Sequence, residues 1–170
     1  MVYRFVIISA EDDSFLREFE LEESNTLLDF HNEIQEELEF DRTHIASFFT
    51  VTKNWEKEEE FTLFEMGANT TLMEDVTIDD IAIEKNQKLL YVFDLFNERS
   101  LFIECIGKVK KTEGREYPSC TRSKGKPPEQ VLLNDFHSNL KVIPFEDEEY
   151  GIDEDDDLPG LENIDDFDDL

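Results

Sequence analysis

The sequence predicts an α+β fold: a mixed β-sheet crossed by one main helix, with a second helix near the C-terminus and an acidic tail. Three observations carry this. Thr26–Phe40 (TLLDFHNEIQEELEF) places Leu27, Phe30, His31, Ile34 and Leu38 at helical spacing on one stripe. The runs on either side are β-branched, aromatic or alternating, as strands are. The segments between them are short and rich in turn residues.

Val2–Ser9 opens the chain as a strand. Tyr3, Phe5 and Ile7 share one face, and Val2, Val6 and Ile8 share the other. Apolar residues on both faces suit a central position in a sheet. Glu11–Asp13 makes a turn. Phe15–Leu21 then alternates, with Phe15, Phe19 and Leu21 against Glu18 and Glu20, and the pair reads as a hairpin. Thr26 with Asp29 resembles a capping box at the start of the helix, with Asn25 as the other candidate cap. A helix this short is marginal in water, so it requires the sheet.

Ser47–Thr52 (SFFTVT) reads as a strand. Lys53–Glu60 reads as a charged, solvated loop carrying the only tryptophan, and Phe61–Phe64 as a short strand able to pair back. Gly67–Asn69 is a turn, and Thr77–Ile81 a capped single helical turn. Lys88–Leu95 is a strong strand, apolar on both faces except for Asp94. A buried carboxylate needs partners, so Asp94 is either hydrogen-bonded near the strand end or part of a site. Asn97-Glu98 connects to a strand over Leu101–Val109. Pro127–Leu140 opens with two prolines, suited to a first helical turn, and continues with Leu132, Phe136 and Leu140. Strand, strand, helix, strand is the order of a β-grasp-like core, with the helix packed on one face.

Length and composition bound the function. A chain of 170 residues with 39% hydrophobic residues and 15 phenylalanines supports one domain with a real core. The expected division is a domain over 1–145 and an acidic tail over 146–170. No run reaches the length of a membrane span, and MVYRFVIISAEDD lacks a signal-peptide layout, so the expected location is cytoplasmic, without a membrane partner. Two cysteines make no disulfide framework. The formal charge of −28 argues against bare nucleic acid as the main partner of the whole chain.

That charge is unevenly spread. Residues 146–170 hold 14 acidic and no basic residues, half of the net charge. Tyr150, Ile152, Leu158, Leu161, Ile164, Phe167 and Leu170 recur among them, a composition suited to docking on a basic, apolar surface. The plain alternative is a solvating tail. The opposite sign gathers in Lys108–Lys126, which reads as a loop. Lys108, Lys110, Lys111, Arg115, Arg122, Lys124 and Lys126 are seven of the 16 basic residues. Such a segment takes a phosphate group or an acidic partner, or simply balances an acidic protein. The acidic tail is therefore expected to meet either a basic partner protein or this basic segment of its own chain.

Catalytic and cofactor signatures are not recognised. The sequence has no P-loop, GxGxxG, CxxC or HExxH. Asp153, Asp155 and Asp157 have the odd-position spacing of a calcium loop, but Leu158 replaces the required glycine and Ile164 the glutamate. The expectation is a non-enzymatic protein without a cofactor. Three polar residues remain as candidates. His31 lies on the apolar stripe, where a packed histidine is the bland reading. Asp94 interrupts an apolar strand. Cys120 lies beside Arg122 and Lys124, cations of the kind that lower a thiol pKa.

Three segments together resemble one family. TLLDFHNEIQEELEFDRTHIASFFT is similar to the N-terminal segment of the plasmid ORF-three-like family, first named from a root-inducing (pRi) plasmid. His31, His44 and Phe48 match its pattern, while Ile45 and Ala46 replace its leucine and second histidine. In LLYVFDLFNERSLFIE, Asp94 matches the first aspartate of the family's Tyr-Asp-Phe-Gly-Asp-x-Trp-x-His signature. Leu95, Phe96, Asn97, Arg99 and Leu101 depart from it. In YPSCTRSKGKPPEQ, Tyr117, Pro118, Cys120, Pro127, Pro128 and Glu129 match, and Lys126 stands where the family has a second cysteine. The resemblance covers roughly residues 2–141 by motif order. It implies an α+β domain and an association with plasmids or insertion-element passengers, and it implies no activity. It leaves open a nucleic-acid-associated accessory factor of a mobile element, with the basic segment masked by the tail.

Overall fold

The computed structural model describes residues 1–81 and 86–130. Among these residues eight strands form one sheet: β1 (Val2–Ser9), β2 (Leu16–Glu22), β3 (Ser47–Val51), β4 (Lys57–Thr62), β5 (Thr71–Leu72), β6 (Lys88–Asp94), β7 (Arg99–Val109) and β8 (Ser119–Lys124). The helices among the described residues are α1 (Leu27–Glu37) and the single turn α2 (Ile78–Ile81), preceded by a 3-10 turn over Met73–Asp75. Among the described residues no helix is long and apolar enough to cross a membrane.

The spatial order is β5-β4-β3-β6-β7-β1-β2-β8. All neighbours are antiparallel except β4 and β5. The α+β expectation holds, as a large sheet with few helices, and β1 is interior as its two apolar faces require. The finer β-grasp-like expectation does not follow from this pairing. A β-grasp sets its last strand parallel beside the first; here β1 lies between β2 and β7, antiparallel to both.

α1 packs on one face of the sheet. Phe30 is the centre of that contact, with ring centroids 5.3 Å from Phe5, 5.6 Å from Phe19 and 5.6 Å from Phe48. Tyr3, Ile7, Leu21, Leu89, Tyr91, Leu101 and Ile103 complete the core from alternate strand positions. The capping box is present: Thr26 Oγ1 accepts from Asp29 N, and Asp29 Oδ2 from Thr26 N. The helix ends sooner than expected. Glu39 sits at φ 54°, Glu39 N–H donates to Glu36 O and Phe40 N–H to Gln35 O. This left-handed closure turns the chain before Phe40.

Three other expectations need correction. Lys57–Glu60 is strand and not loop, because β3 pairs with it through Phe49↔Glu60 and Val51↔Lys57. Lys108–Lys126 is not one loop: β7 runs to Val109, and Ser119–Lys124 forms β8 on the free side of β2. Pro127–Gln130 are not helical, and the rest of the expected second helix lies outside the described residues, as does the acidic tail. At the end of β8, Gly125 turns at φ 72°, where a Cβ would lie 2.5 Å from Ser14 O. Only glycine lets the chain pass so close to the β1–β2 turn.

Candidate functional site

The basic segment folds onto the most acidic strand face in the described chain. Period two turns Glu18, Glu20 and Glu22 of β2 away from the α1 side. Cations from both neighbours reach them. Glu18 pairs with Arg4 of β1 at 2.9 Å and Arg122 of β8 at 3.0 Å. Glu20 pairs with Arg115 at 3.2 Å and lies 3.9 Å from Arg4. Lys111 pairs with Glu22. The hydrogen bond from Arg122, with help from Arg4, holds the Glu18 carboxyl below its ordinary range although burial opposes it. Opposite charges directly across a ladder are the sheet's usual stabilising pairs.

Four of the seven expected cations are thus paired with carboxylates, Lys108 being 4.0 Å from Asp79. Lys108 also lies over the Tyr3 ring at 4.1 Å, and the Tyr3 hydroxyl donates to Asp79. Lys110, Lys124 and Lys126 have no carboxylate within 4 Å among the described residues.

A further cation, absent from the sequence reading, fastens β8 from inside. Arg17 follows Phe15 on the α1 side of β2 and is 4% exposed. Its guanidinium donates to Leu16 O at 2.9 Å, Lys124 O at 2.6 Å and Gly125 O at 3.2 Å. Its Nε lies 2.9 Å from Glu37 Oε1, an ionic contact and not an aligned hydrogen bond. The signal for Arg17 was present as its parity with Phe15 and Phe19. Two of its four partners were not, being backbone carbonyls more than 100 residues away.

The polar candidates fall in separate places. His31 is packed under α1: Tyr91 Oη lies 2.9 Å from its Nδ1, and Gln35 Nε2 donates to Tyr91 Oη at 2.6 Å. The direction of the Tyr91–His31 bond follows the imidazole tautomer, since the phenol oxygen can either donate to Nδ1 or accept from an Nδ1–H. Burial, and then Arg42, push His31 down to about 4. Burial raises the Tyr91 hydroxyl.

Asp94 closes the β6–β7 turn. It accepts from Phe96 N and Asn97 N at 3.1 Å each and from Asn97 Nδ2 at 2.8 Å, with Arg99 at 3.9 Å. Burial works to raise its pKa, but these bonds and Arg99 outweigh it and hold the carboxyl low. Of the two alternatives in the sequence, the strand-end role accounts for every contact. Cys120 donates its N–H to Glu33 Oε1 at 3.2 Å. Burial and the Glu37 carboxylate push its thiol up to about 11, so its basic neighbours do not activate it.

Asp94 and Cys120 stand four strands apart, roughly 19 Å at ordinary strand spacing. His31 bonds to neither. Among the described residues no cluster of three or more His, Cys, Asp or Glu is placed to hold a metal ion.

Comparison with known proteins agrees with this picture at the level of family and fold. A family profile described as "Plasmid pRiA4b ORF-3-like protein" matches residues 2–158, continuing past the composition change at 146. Among solved structures the chain is similar to MM3350, a protein of unknown function from Methanosarcina mazei Go1. That match has 21% identity, 72% of this chain and 68% of that chain covered, and a TM-score of 0.61. No curated protein matches.

Proposed function

The chain belongs to the plasmid pRiA4b ORF-3-like family, and from that premise we propose that it is a non-enzymatic protein-interaction module. Its acidic tail, residues 146–170, docks on a basic partner protein or on the basic segment 108–126 of its own chain. The observation that carries this is the division of charge: 14 acids without a base at one end, and seven cations gathered on 19 residues before it. The apolar residues spaced through the tail supply contact area once opposite fields bring it to a surface. Of the two acceptors, a basic partner is favoured. Glu18, Glu20, Glu22 and Asp79 already pair with Lys108, Lys111, Arg115 and Arg122, so the chain's own segment offers a tail less unbalanced charge than the sequence suggests.

The test uses the full-length chain and a variant in which Asp153, Asp155, Asp156 and Asp157 are changed to Asn. Hydrogen exchange is compared across 108–126, and host lysate is probed for retained protein and nucleic acid. Faster exchange in the variant supports docking within the chain. A basic protein retained by the native chain alone supports an external partner. Nucleic acid retained by the variant alone favours the second reading, a mobile-element accessory factor whose Lys110, Lys124 and Lys126 contact phosphates. No difference in any readout removes the tail as the binding element.

A further inference from the structure

The two ends of the sheet carry opposite charge, and β5 covers the acidic one only in part. β5 pairs with β4 only through Phe61↔Thr71 and Thr62↔Leu72. Lys57 and Glu60 therefore pair with β3 alone among the described residues, the register shifting between them, and all four of Lys57–Glu60 are exposed. An unpaired strand edge is a template for another chain, and proteins commonly guard it with lysine, proline or a covering loop. Here the guard is Glu58, Glu59 and Glu60, with Glu65 just beyond. None of these four has a cation within 4 Å among the described residues. Lys57 is turned to Glu98 at 3.7 Å and lies over the Phe49 ring at 4.6 Å.

Large apolar side chains stand exposed on the connection that follows β4. The β4–β5 connection leaves β4 after Thr62 and enters β5 at Thr71, whose Oγ1 donates to Glu59 Oε1 at 3.3 Å. The connection carries Phe64 and Met66, 63% and 68% exposed. Phenylalanine and methionine are residue types that concentrate binding energy at interfaces.

We propose that the outer edge of β4 over Lys57–Glu60 is a docking site for an extended segment of a partner protein bearing lysine or arginine. That segment adds to the sheet as a strand, sets its cations against Glu58 and Glu60, and seats an apolar side chain on Phe64 and Met66. The mode is strand addition, in which backbone bonds give affinity and side chains give selectivity. The charge decides the partner. A second β4 edge would bring glutamates against glutamates, and the acidic tail would be repelled, whereas a basic strand is attracted. This site is separate from the tail, and its test reads β4 directly.

The probe is a synthetic peptide alternating Lys and Val, titrated into the ¹⁵N-labelled full-length chain. Saturable shifts at the amides of 57–60 and 64–66 are expected. Glu58→Lys/Glu60→Lys should weaken them by about tenfold or more. Phe64→Ser/Met66→Ser should weaken them as well, with the remaining spectrum unchanged. Shifts confined to 146–170 overturn the proposal and leave the tail reading standing, because the peptide then only neutralises the tail. Equal affinity in both variants also overturns it. So do β4 shifts that follow protein concentration without peptide, which identify the basic β8 edge of a second copy as the occupant.

Discussion

His31 is held neutral because it is buried, only 5% exposed, with the Arg42 charge also opposing a second proton on the ring. Its folded pKa is about 4 against an unfolded value near 6.5. The unfolded chain therefore binds the proton first. This contribution to stability is complete above about pH 6.5 and is lost as pH falls toward 4, by about 3 kcal/mol in all. Urea unfolding from pH 7 to pH 4.5 should show that loss, and His31→Gln should flatten it. Glu11, Glu18 and Asp94 have lowered pKa values, so their contributions persist through this window and fade only below the ordinary carboxylate range. Tyr91→Phe leaves His31 Nδ1 and Gln35 Nε2 buried without a partner, and should cost about 1–3 kcal/mol in chemical denaturation.

The ends of elements are where single changes act most simply. α1 closes on Glu39 at φ 54°, a conformation costly for any residue with a Cβ. Glu39→Gly should raise stability by about 1 kcal/mol, seen as a higher Tm. β8 depends on its partners in a different way. Its sequence, SCTRSK, has no apolar alternation, and it is held by ladder bonds to β2, by Arg17 and by the Glu18–Arg122 pair. Glu18→Gln should cost about 1 kcal/mol or less and speed amide exchange over 119–124 ahead of β1 and β7. Exchange that rises equally in all three strands would show the pair to be unimportant to β8.

At the scale of the whole molecule, a charge of −28 on 170 residues opposes compaction through self-repulsion. Raising NaCl to about 1 M shortens the screening length to about 3 Å and should raise Tm. A falling Tm would mean that the Arg4–Glu18–Arg122 and Arg115–Glu20 pairs outweigh the repulsion. Family membership and the likeness to MM3350 settle what kind of domain this is, and the function proposed rests on its charge layout.

The sequence by itself determined those parts of the molecule that depend on near neighbours. The α1 stripe, its Thr26–Asp29 capping box, the β1–β2 hairpin and the strong β6 and β7 strands follow from spacing and local hydrogen bonding. The family was legible from His31, Asp94 and the Tyr-Pro-x-Cys and Pro-Pro-Glu segments, while the alternatives for Asp94 stayed open. Only the tertiary structure decided β8 and the Lys57–Glu60 part of β4, whose Phe61 end the sequence did mark as strand. These polar stretches carry no apolar period, and they become strands because a neighbour offers unpaired backbone groups. The same holds for the cations: seven in 108–126 look like one exposed basic surface. Four are instead paired to Glu18, Glu20, Glu22 and Asp79, because the sheet brings residues about 30 to 100 positions apart within ion-pair range. Spacing along the chain reports the faces of an element; which faces and edges meet is fixed by the packing of the whole.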